Sequence, residues 1–508
     1  MPWIKTHELT EQKIASLRES DRESIYNGLD CCITFEVFEK VKEELVKQND
    51  PSARLIYDFE RGMCGPALDM MQRGFKIDTY QRNVQISRLE KEVVKVEGIL
   101  NQYGMATWEK PIKARSPFLK ELFYTFYNLP EQFRFDKGER KVTVNREALE
   151  KLSAYHHVLP IINAILTVRD TAKLLSTIRT EIDPDGRMRT SYNVAGTETG
   201  RWSSSSSVFG SGTNLQNITN EVRRMFIADE GKVLCNIDEE QAESRVMGLL
   251  MWSLIGDPSY LLANESGDVH TAVARLCWPH LPWNGEILHD REVAERPFYR
   301  HFSYRDMSKR GGHLTNYYGT PPTMARNLKI EEKVAAEFQL AYFKAFPGLR
   351  EYHHWVAREI GLHQELTTPL GRRRIFFGRP GDDATLREAI AYIPQSTVGD
   401  ILNCALWRIW RYCPEAQLLA QVHDSICFQS DESDLPRAIA NARRLATFPL
   451  RMNGKALVIP VDAKVGWNWA DETIKTSRGK VHNPNGLSKW KGSLAGRKRL
   501  SGIHSMVA

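Results

Sequence analysis

Two aspartates stand at the ends of apolar strands in this sequence of 508 residues. Asp238 closes KVLCNID, residues 232–238, and Asp424 lies between the apolar runs LLAQV and ICF in LLAQVHDSICFQS, residues 418–430. An ionised carboxylate beside a buried sheet costs several kcal/mol unless a cation pairs with it. Strands are rigid carriers, which suits metal ligands. Two aspartates can bridge two Mg²⁺ ions about 4 Å apart, an arrangement that serves in-line phosphoryl transfer. One ion lowers the pKa of an attacking hydroxyl and the other neutralises charge on a leaving pyrophosphate. Taken singly, a strand-end Asp is more often a helix cap or turn residue, so other groups must be present.

A second constellation is RDMSKRGGHLTNYYG, residues 305–319. Arg305, Lys309, His313 and Tyr317 recur every fourth residue. On a helix this spacing gives one slowly drifting stripe, roughly 18 Å long at 1.5 Å per residue. Two cations occupy one end and two rings the other, the layout of a nucleoside triphosphate. Arg offers a fork to phosphate oxygens and Lys a point charge. Rings pack on sugar and base. The plainer reading of Arg305 and Lys309 alone is a solvated basic face. Gly311 and Gly312 weaken a helix by about 1 kcal/mol each, which a helix that moves to close over substrate would tolerate.

The elements that must carry these residues are readable from periodicity. Roughly the first 190 residues are mostly helical. They include ITFEVFEKVKEELV, then LIYDFERGMCGPALDMMQRG ending at Gly74, then RNVQISRLEKEVVKVEGILNQYG closing on Gly104. Strands follow, with Asp238 expected to end one and open the helix EEQAESRVMGLLM. The acid-bearing strands are far apart in sequence, so the sheet is mixed and assembled from distant segments with helices around it, an α+β arrangement.

In this order the pieces resemble the polymerase region of family A DNA polymerases, the bacterial DNA polymerase I family. The resemblance runs from about residue 20 to 472. TGRWSS (199–204) and NLQNI (214–218) resemble the segment TGRxSS…NLQNI. DEEQAESR (238–245) resembles motif A, DYSQIELR in many relatives. RDMSKRGGHLTNYYG resembles motif B and VHDS (422–425) motif C, usually VHDE. GDVHTA (267–272), TPLGRRRIF (368–376), REAIAYIPQSTVGDIL (387–402) and VGWNW (465–469) resemble further family segments. The fold implied is the right-hand architecture of thumb, palm and fingers, with an antiparallel palm sheet.

The resemblance implies a template-directed DNA polymerase that adds dNMP to a primer 3′-OH by two-metal catalysis. Asp238 and Asp424 would hold two Mg²⁺, with Mn²⁺ able to substitute. Arg305 and Lys309 would bind the triphosphate, and Lys309 would donate a proton to the leaving pyrophosphate. His313, Tyr317, Glu243 and Gln241 would line the dNTP site, with Tyr317 near the templating base and Glu243 a steric gate against a 2′-hydroxyl. Arg201, Asn214, Gln216, Arg387, Gln395 and His423 would contact primer and template. The partners implied are primer–template DNA and dNTPs, with a separate exonuclease subunit or processivity factor as a further one. Phage-type members are the group it most resembles.

The chain departs from the family pattern at several points. His313 stands where relatives carry Phe or Tyr, Tyr318 replaces Gly, Ser425 replaces Glu and Ala391 replaces Asn. SSSVFGSG lengthens the gap before NLQNI. YNGLD (26–30) resembles the last motif of the family's 3′–5′ exonuclease through Tyr26 and Asp30. The motif's other acids are not found, so no proofreading by this chain alone is expected. The competing functions are a single-subunit RNA polymerase, a nuclease built on YNGLD, and an accessory DNA-binding protein.

Bulk properties fit this reading without requiring it. Net charge is +6 and 42% of residues are hydrophobic, values of a globular protein that permit a polyanionic partner. The eight cysteines form no CxxC or Cys/His cluster, so reduced thiols in the cytoplasm are expected. No run approaches the roughly 20 apolar residues of a membrane helix. The expected domains are an exonuclease remnant at 1–50, helical thumb and palm entry at 51–190, palm with motif A at 191–253 and fingers at 254–385. Palm with motif C follows at 386–472. From Lys475 onward there are eight Lys/Arg and no Asp/Glu, so 473–508 is expected to be a flexible basic tail, either a DNA-backbone binder or a solvated end.

Overall fold

The computed structural model describes residues 10–102, 116–136, 139–207, 211–300, 302–476, 479–494, 496–497 and 499. The chain begins in helices, with α1 (Glu19–Gln48) and α2 (Pro51–Arg73). No residue of α1 is buried, whereas α2 buries Met63, Ala67 and Met70. After the short strand β1 (Phe75–Ile77), α3 (Thr79–Gln102) runs beside α4 (Leu159–Ile178) to form an arm. Gly104, the expected end of α3, lies outside the described residues. The arm's far end has its own core, including Phe123, Leu149, Ile161 and Ile165, separate from that of the body.

The strand β2 (Lys232–Glu239) is apolar on both faces, with Val233, Leu234, Cys235 and Ile237 all buried. Such a strand must lie inside a sheet with both faces covered. Helix α5 (Val269–Cys277), α6 (Tyr304–Asn316) and α7 (Glu332–Ala345) follow within a helical lobe. Its core runs from Val246 through Met307 and Phe338 to Ile393. The chain returns through the 30-residue helix α8 (Asp383–Tyr412) to β3 (Gln417–Val422), β4 (Ser425–Asp431), β5 (Val461–Gly466) and β6 (Ser488–Lys489). The sheet order is β3-β4-β2-β5-β6 and every pairing is antiparallel. The fold is therefore α+β, with β2 recruited to the centre by strands that begin only at Ser425 and Val461.

The sheet is wholly antiparallel where a mixed one was expected, and three other expectations need correction. Strand β2 runs on to Glu239, and Asp238 does not open a helix. Gln241 takes a left-handed backbone, φ +54°, and the helix starts only at Ala242. Second, Gly311 and Gly312 have a packing role that helix propensity does not reveal. A Cβ on Gly311 would sit 2.5 Å from the Phe338 ring and one on Gly312 3.0 Å from Tyr342, so both glycines let α6 lie close against α7.

Third, residues 473–494 are not a flexible tail. Thr473–Thr476 pairs with Gly479–His482, and β6 adds to the sheet edge through Lys464↔Lys489 and Val465↔Ser488. Ile474 and Leu487 are 2% and 5% exposed. Lys489 pairs with Asp462 at 2.9 Å, and Arg497 donates to the carbonyls of Val465, Pro484 and Gly486. Counting charges concealed the few apolar residues that fasten this segment. Residues 501–508 lie outside the described ones.

Candidate active site

Strand pairing brings the two aspartates together. Asp238 on β2 lies opposite Ser425 on β4, and the Glu239 N–H donates to the Asp424 carbonyl at 3.1 Å. His423 and Asp424 alone connect β3 to β4, with His423 at φ +53°. Backbone of that kind is unfavourable for a bulky side chain and persists only where the surroundings impose it. Here it turns the chain tightly enough to leave Asp424 beside Asp238 at the sheet's end.

The acids resist ionising together. Burial raises the Asp238 carboxyl to about 6, and the charge of Asp424 adds to the effect. Burial likewise raises Asp424, against a lowering by Arg201, whose Nη2 is 3.9 Å away. The neighbouring Glu239 is buried with neither carboxylate oxygen hydrogen-bonded, and burial followed by Asp424 and Asp238 pushes it far above the ordinary range. Gln241 Oε1 is also buried without a partner. Orphaned oxygens and mutually opposed carboxyls suit a cation, which favours the charged form of each acid.

A bridge spans from the sheet to α6. Arg201 forms an ion pair with Glu243, and the Tyr317 hydroxyl donates to the other Glu243 oxygen at 2.6 Å. Burial first, then Glu243, raises the Tyr317 hydroxyl well above its usual range. Arg201 is itself held by the packing of α8. Asn403 donates to the Gly200 carbonyl at 3.1 Å, and Arg372 grips Asp400. Gly200 sits at φ +73° where a Cβ would lie 2.5 Å from the Arg372 guanidinium.

Helix α6 starts with a capping box between Ser303 and Asp306. Arg305, Lys309 and His313 lie on it, and Tyr317 caps its end, its ring 4.9 Å from that of His313. Arg305 forks onto Asp268 at 2.9 and 3.1 Å. Burial would raise Asp268, but Arg305 and Thr271 outweigh it and hold the carboxyl low. The stripe is thus anchored to α5 at its cationic end. Lys309 and His313 line a cavity of about 420 Å³ with His270. His270, lowered to about 4 by burial and then by Arg305 and Lys309, presents a neutral imidazole there. Sequence reasoning quoted GDVHTA without singling out His270, although its place in that segment was the available signal.

The remaining expected contacts are spread over the same face. Asn214 caps the turn at Gln216 and accepts from Ser204 at 2.6 Å. Gln216 donates to the Gln421 side chain at 2.9 Å, directly before the His423 turn. Gln421 is not among the expected residues, although it directly precedes VHDS. Arg387, exposed, and Gln395, half-buried, lie on α8. Tyr26, 65% exposed, and Asp30, also exposed, sit one turn apart on α1 and do not join this site.

The profile described as DNA polymerase family A matches residues 83–471. The chain is 27% identical over 438 residues to the thermostable DNA polymerase I of Thermus filiformis, covering 81% of this chain and 47% of that protein. It is 30% identical over 351 residues to the DNA polymerase I of Chloroflexus aurantiacus, covering 64% and 34%. The chain therefore spans half or less of the length of these relatives. Among solved structures, the POL domain of Pol1 from M. smegmatis in complex with DNA primer-template and dNTP superposes with a TM-score of 0.69. That match has 23% identity and covers 87% of this chain and 75% of that one, a likeness of fold.

Proposed function

Since the chain belongs to DNA polymerase family A, we propose that it is a template-directed DNA polymerase, adding dNMP to a primer 3′-OH and releasing pyrophosphate. The observation that carries this is the pairing of β2 with β4, which sets Asp238 and Asp424 side by side at one end of the sheet. The arm, sheet and helical lobe correspond in this reading to thumb, palm and fingers.

Asp238 and Asp424 would hold two Mg²⁺, and Mn²⁺ would serve in their place. When bound, the ions supply charge neutralisation at phosphate oxygens and acidify the primer hydroxyl. Lys309 and the neutral His270 face the phosphate end of the dNTP, where Lys309 can pass a proton to the departing pyrophosphate. Arg305, fastened to Asp268, supplies fixed positive charge to the same end. His313 stands beside the sugar and Tyr317 beneath the templating base. Glu243, held by Tyr317 and Arg201, blocks space that a 2′-hydroxyl would need, and Gln241 completes the pocket wall. Primer and template would lie along Arg201, Asn214, Gln216, Arg387, Gln395 and His423. Arg201 pairs with Glu243 and lies 3.9 Å from Asp424, and DNA phosphates would compete with both acids for it. Tyr26 and Asp30 are exposed on α1 and take no part in this chemistry.

Primer extension tests the proposal. Asp424→Asn should lose incorporation by at least about 10³-fold while DNA affinity persists. Incorporation at the wild-type rate would overturn it.

A further inference from the structure

Away from the acids, a cavity of about 560 Å³ opens where the start of the arm, the sheet and the chain beyond residue 471 meet. Its floor includes Trp467, Asn468 and Asn483, and its walls include Lys76, Arg224 and Arg499. The floor is internally satisfied. Asn468 and Asn483 each donate to the other's carbonyl oxygen, at 3.0 and 2.9 Å, and the Trp467 indole N–H donates to Glu432.

One wall residue, Arg224, is not satisfied. Arg224 is half-buried and has neither a hydrogen bond nor an ion pair among the described residues. Burial and the nearby Arg88, already paired with Glu221 at 2.7 Å, both hold its guanidinium below the usual value. A desolvated cation beside a second cation is unfavourable until an anion joins it. Arg499 is pinned at the mouth by donating to the carbonyls of Ala228 and Asp229 at 3.3 Å. Two acids also line the cavity, Asp78 and Glu230, and Asp78 accepts the Gln81 N–H at 3.0 Å. Three cations thus face two acids, one of them committed to a helix cap.

We propose that this cavity binds a small phosphate-bearing anion, of the size of pyrophosphate or a nucleoside monophosphate, with Arg224 as its principal anchor and Lys76 and Arg499 beside it. A guanidinium fork matches two phosphate oxygens, and the volume lies in the range of small-molecule sites. Lys76 and Asp78 precede the family match, and Asn483 and Arg499 follow it, so the site depends on chain outside the shared core. None of Asp238, Asp424, Arg305 or Lys309 lines it.

Calorimetric titration of the full chain with pyrophosphate, and separately with dAMP, in chelator-containing buffer at fixed salt tests this. One saturable site is expected, retained in Lys309→Ala and weakened at least about tenfold in Arg224→Gln and in the more exposed Arg499→Gln. Absence of saturable binding, or unchanged affinity in both arginine variants, overturns the proposal. Loss in Lys309→Ala would assign the ligand to the catalytic cleft and overturn it equally. Displacement of the bound anion by primer–template duplex would mean that the phosphate belongs to the DNA backbone, against a free anion. If Arg224→Gln fails to fold, Arg499→Gln and Lys76→Gln decide. Primer extension at the wild-type rate by Arg499→Gln keeps this test separate from that of the polymerase reading.

Discussion

At the scale of single residues, the site concentrates carboxyl groups that a folded protein would otherwise avoid. Asp238 and Glu239 both have folded-state values above the ordinary carboxylate range. A raised folded value means that the native state holds protons the unfolded state has released, so stability falls as pH rises. For Asp238 the loss spans from about pH 3.9, the unfolded value, to about 6. Metal-free protein should therefore become less stable across that window, and divalent cation added at pH 7 should restore stability. Denaturant unfolding at a series of pH values, with and without Mg²⁺, checks both signs. Glu239→Gln should flatten the slope, and a slope unchanged in that variant would show that Glu239 ionises without penalty. Glu243 makes a different prediction. Its carboxylate is braced from both sides by Arg201 and Tyr317, so it cannot easily swing away from a ribose. Glu243→Ala should raise rNTP incorporation relative to dNTP by about tenfold or more, read from single-nucleotide insertion kinetics. The aspartates and the cationic stripe could be singled out from residue type and spacing, and Glu243 only through the family resemblance. Glu239 and Gln421 could not be, because their surroundings come from burial and from partners distant in sequence, and for His270 the only signal was its place in GDVHTA.

At the scale of elements, helix α6 shows what periodicity reveals and what it hides. Spacing by four correctly put Arg305, Lys309 and His313 on one helix with Tyr317 at its end. The glycines inside it carried a misleading signal, since propensity treats a helical glycine as a weakness. Here it is the price of close approach to the Phe338 and Tyr342 rings of α7. Gly311→Ala should cost about 1–3 kcal/mol, as overpacked cores do, and should disturb the placement of Lys309. Gly312→Ala, with a longer approach of 3.0 Å, should cost less. Thermal unfolding orders the two, and a Gly311→Ala protein as stable as wild type would show that α6 can shift freely. Helix–helix distance is a tertiary quantity, so no window of sequence contained it.

At the scale of the whole molecule, the α+β arrangement was legible because helical periodicity dominates the first 190 residues and the acid-bearing strands are apolar. The sheet order was not, since β2 is flanked by strands that begin only at Ser425 and Val461, and a further edge strand comes from beyond residue 472. That last segment is where local reading misled most. Its basic composition concealed Ile474 and Leu487, which are buried, and Arg497, which closes three backbone carbonyls. A protein ending at residue 472 would expose the edge of β5 and lose both apolar anchors. Burying a side chain of that size is worth about 1.5–3 kcal/mol, so the truncated protein should lose roughly 3–6 kcal/mol of stability. Leu487→Ala alone should cost about 2–5 kcal/mol, which separates the anchor from the charges. A flexible tail predicts the opposite pattern, no change in unfolding and only a weaker hold on DNA at low salt. Unfolding midpoints of the two proteins, set beside the salt dependence of their DNA affinity, decide between a segment that completes the sheet and one that merely trails from it.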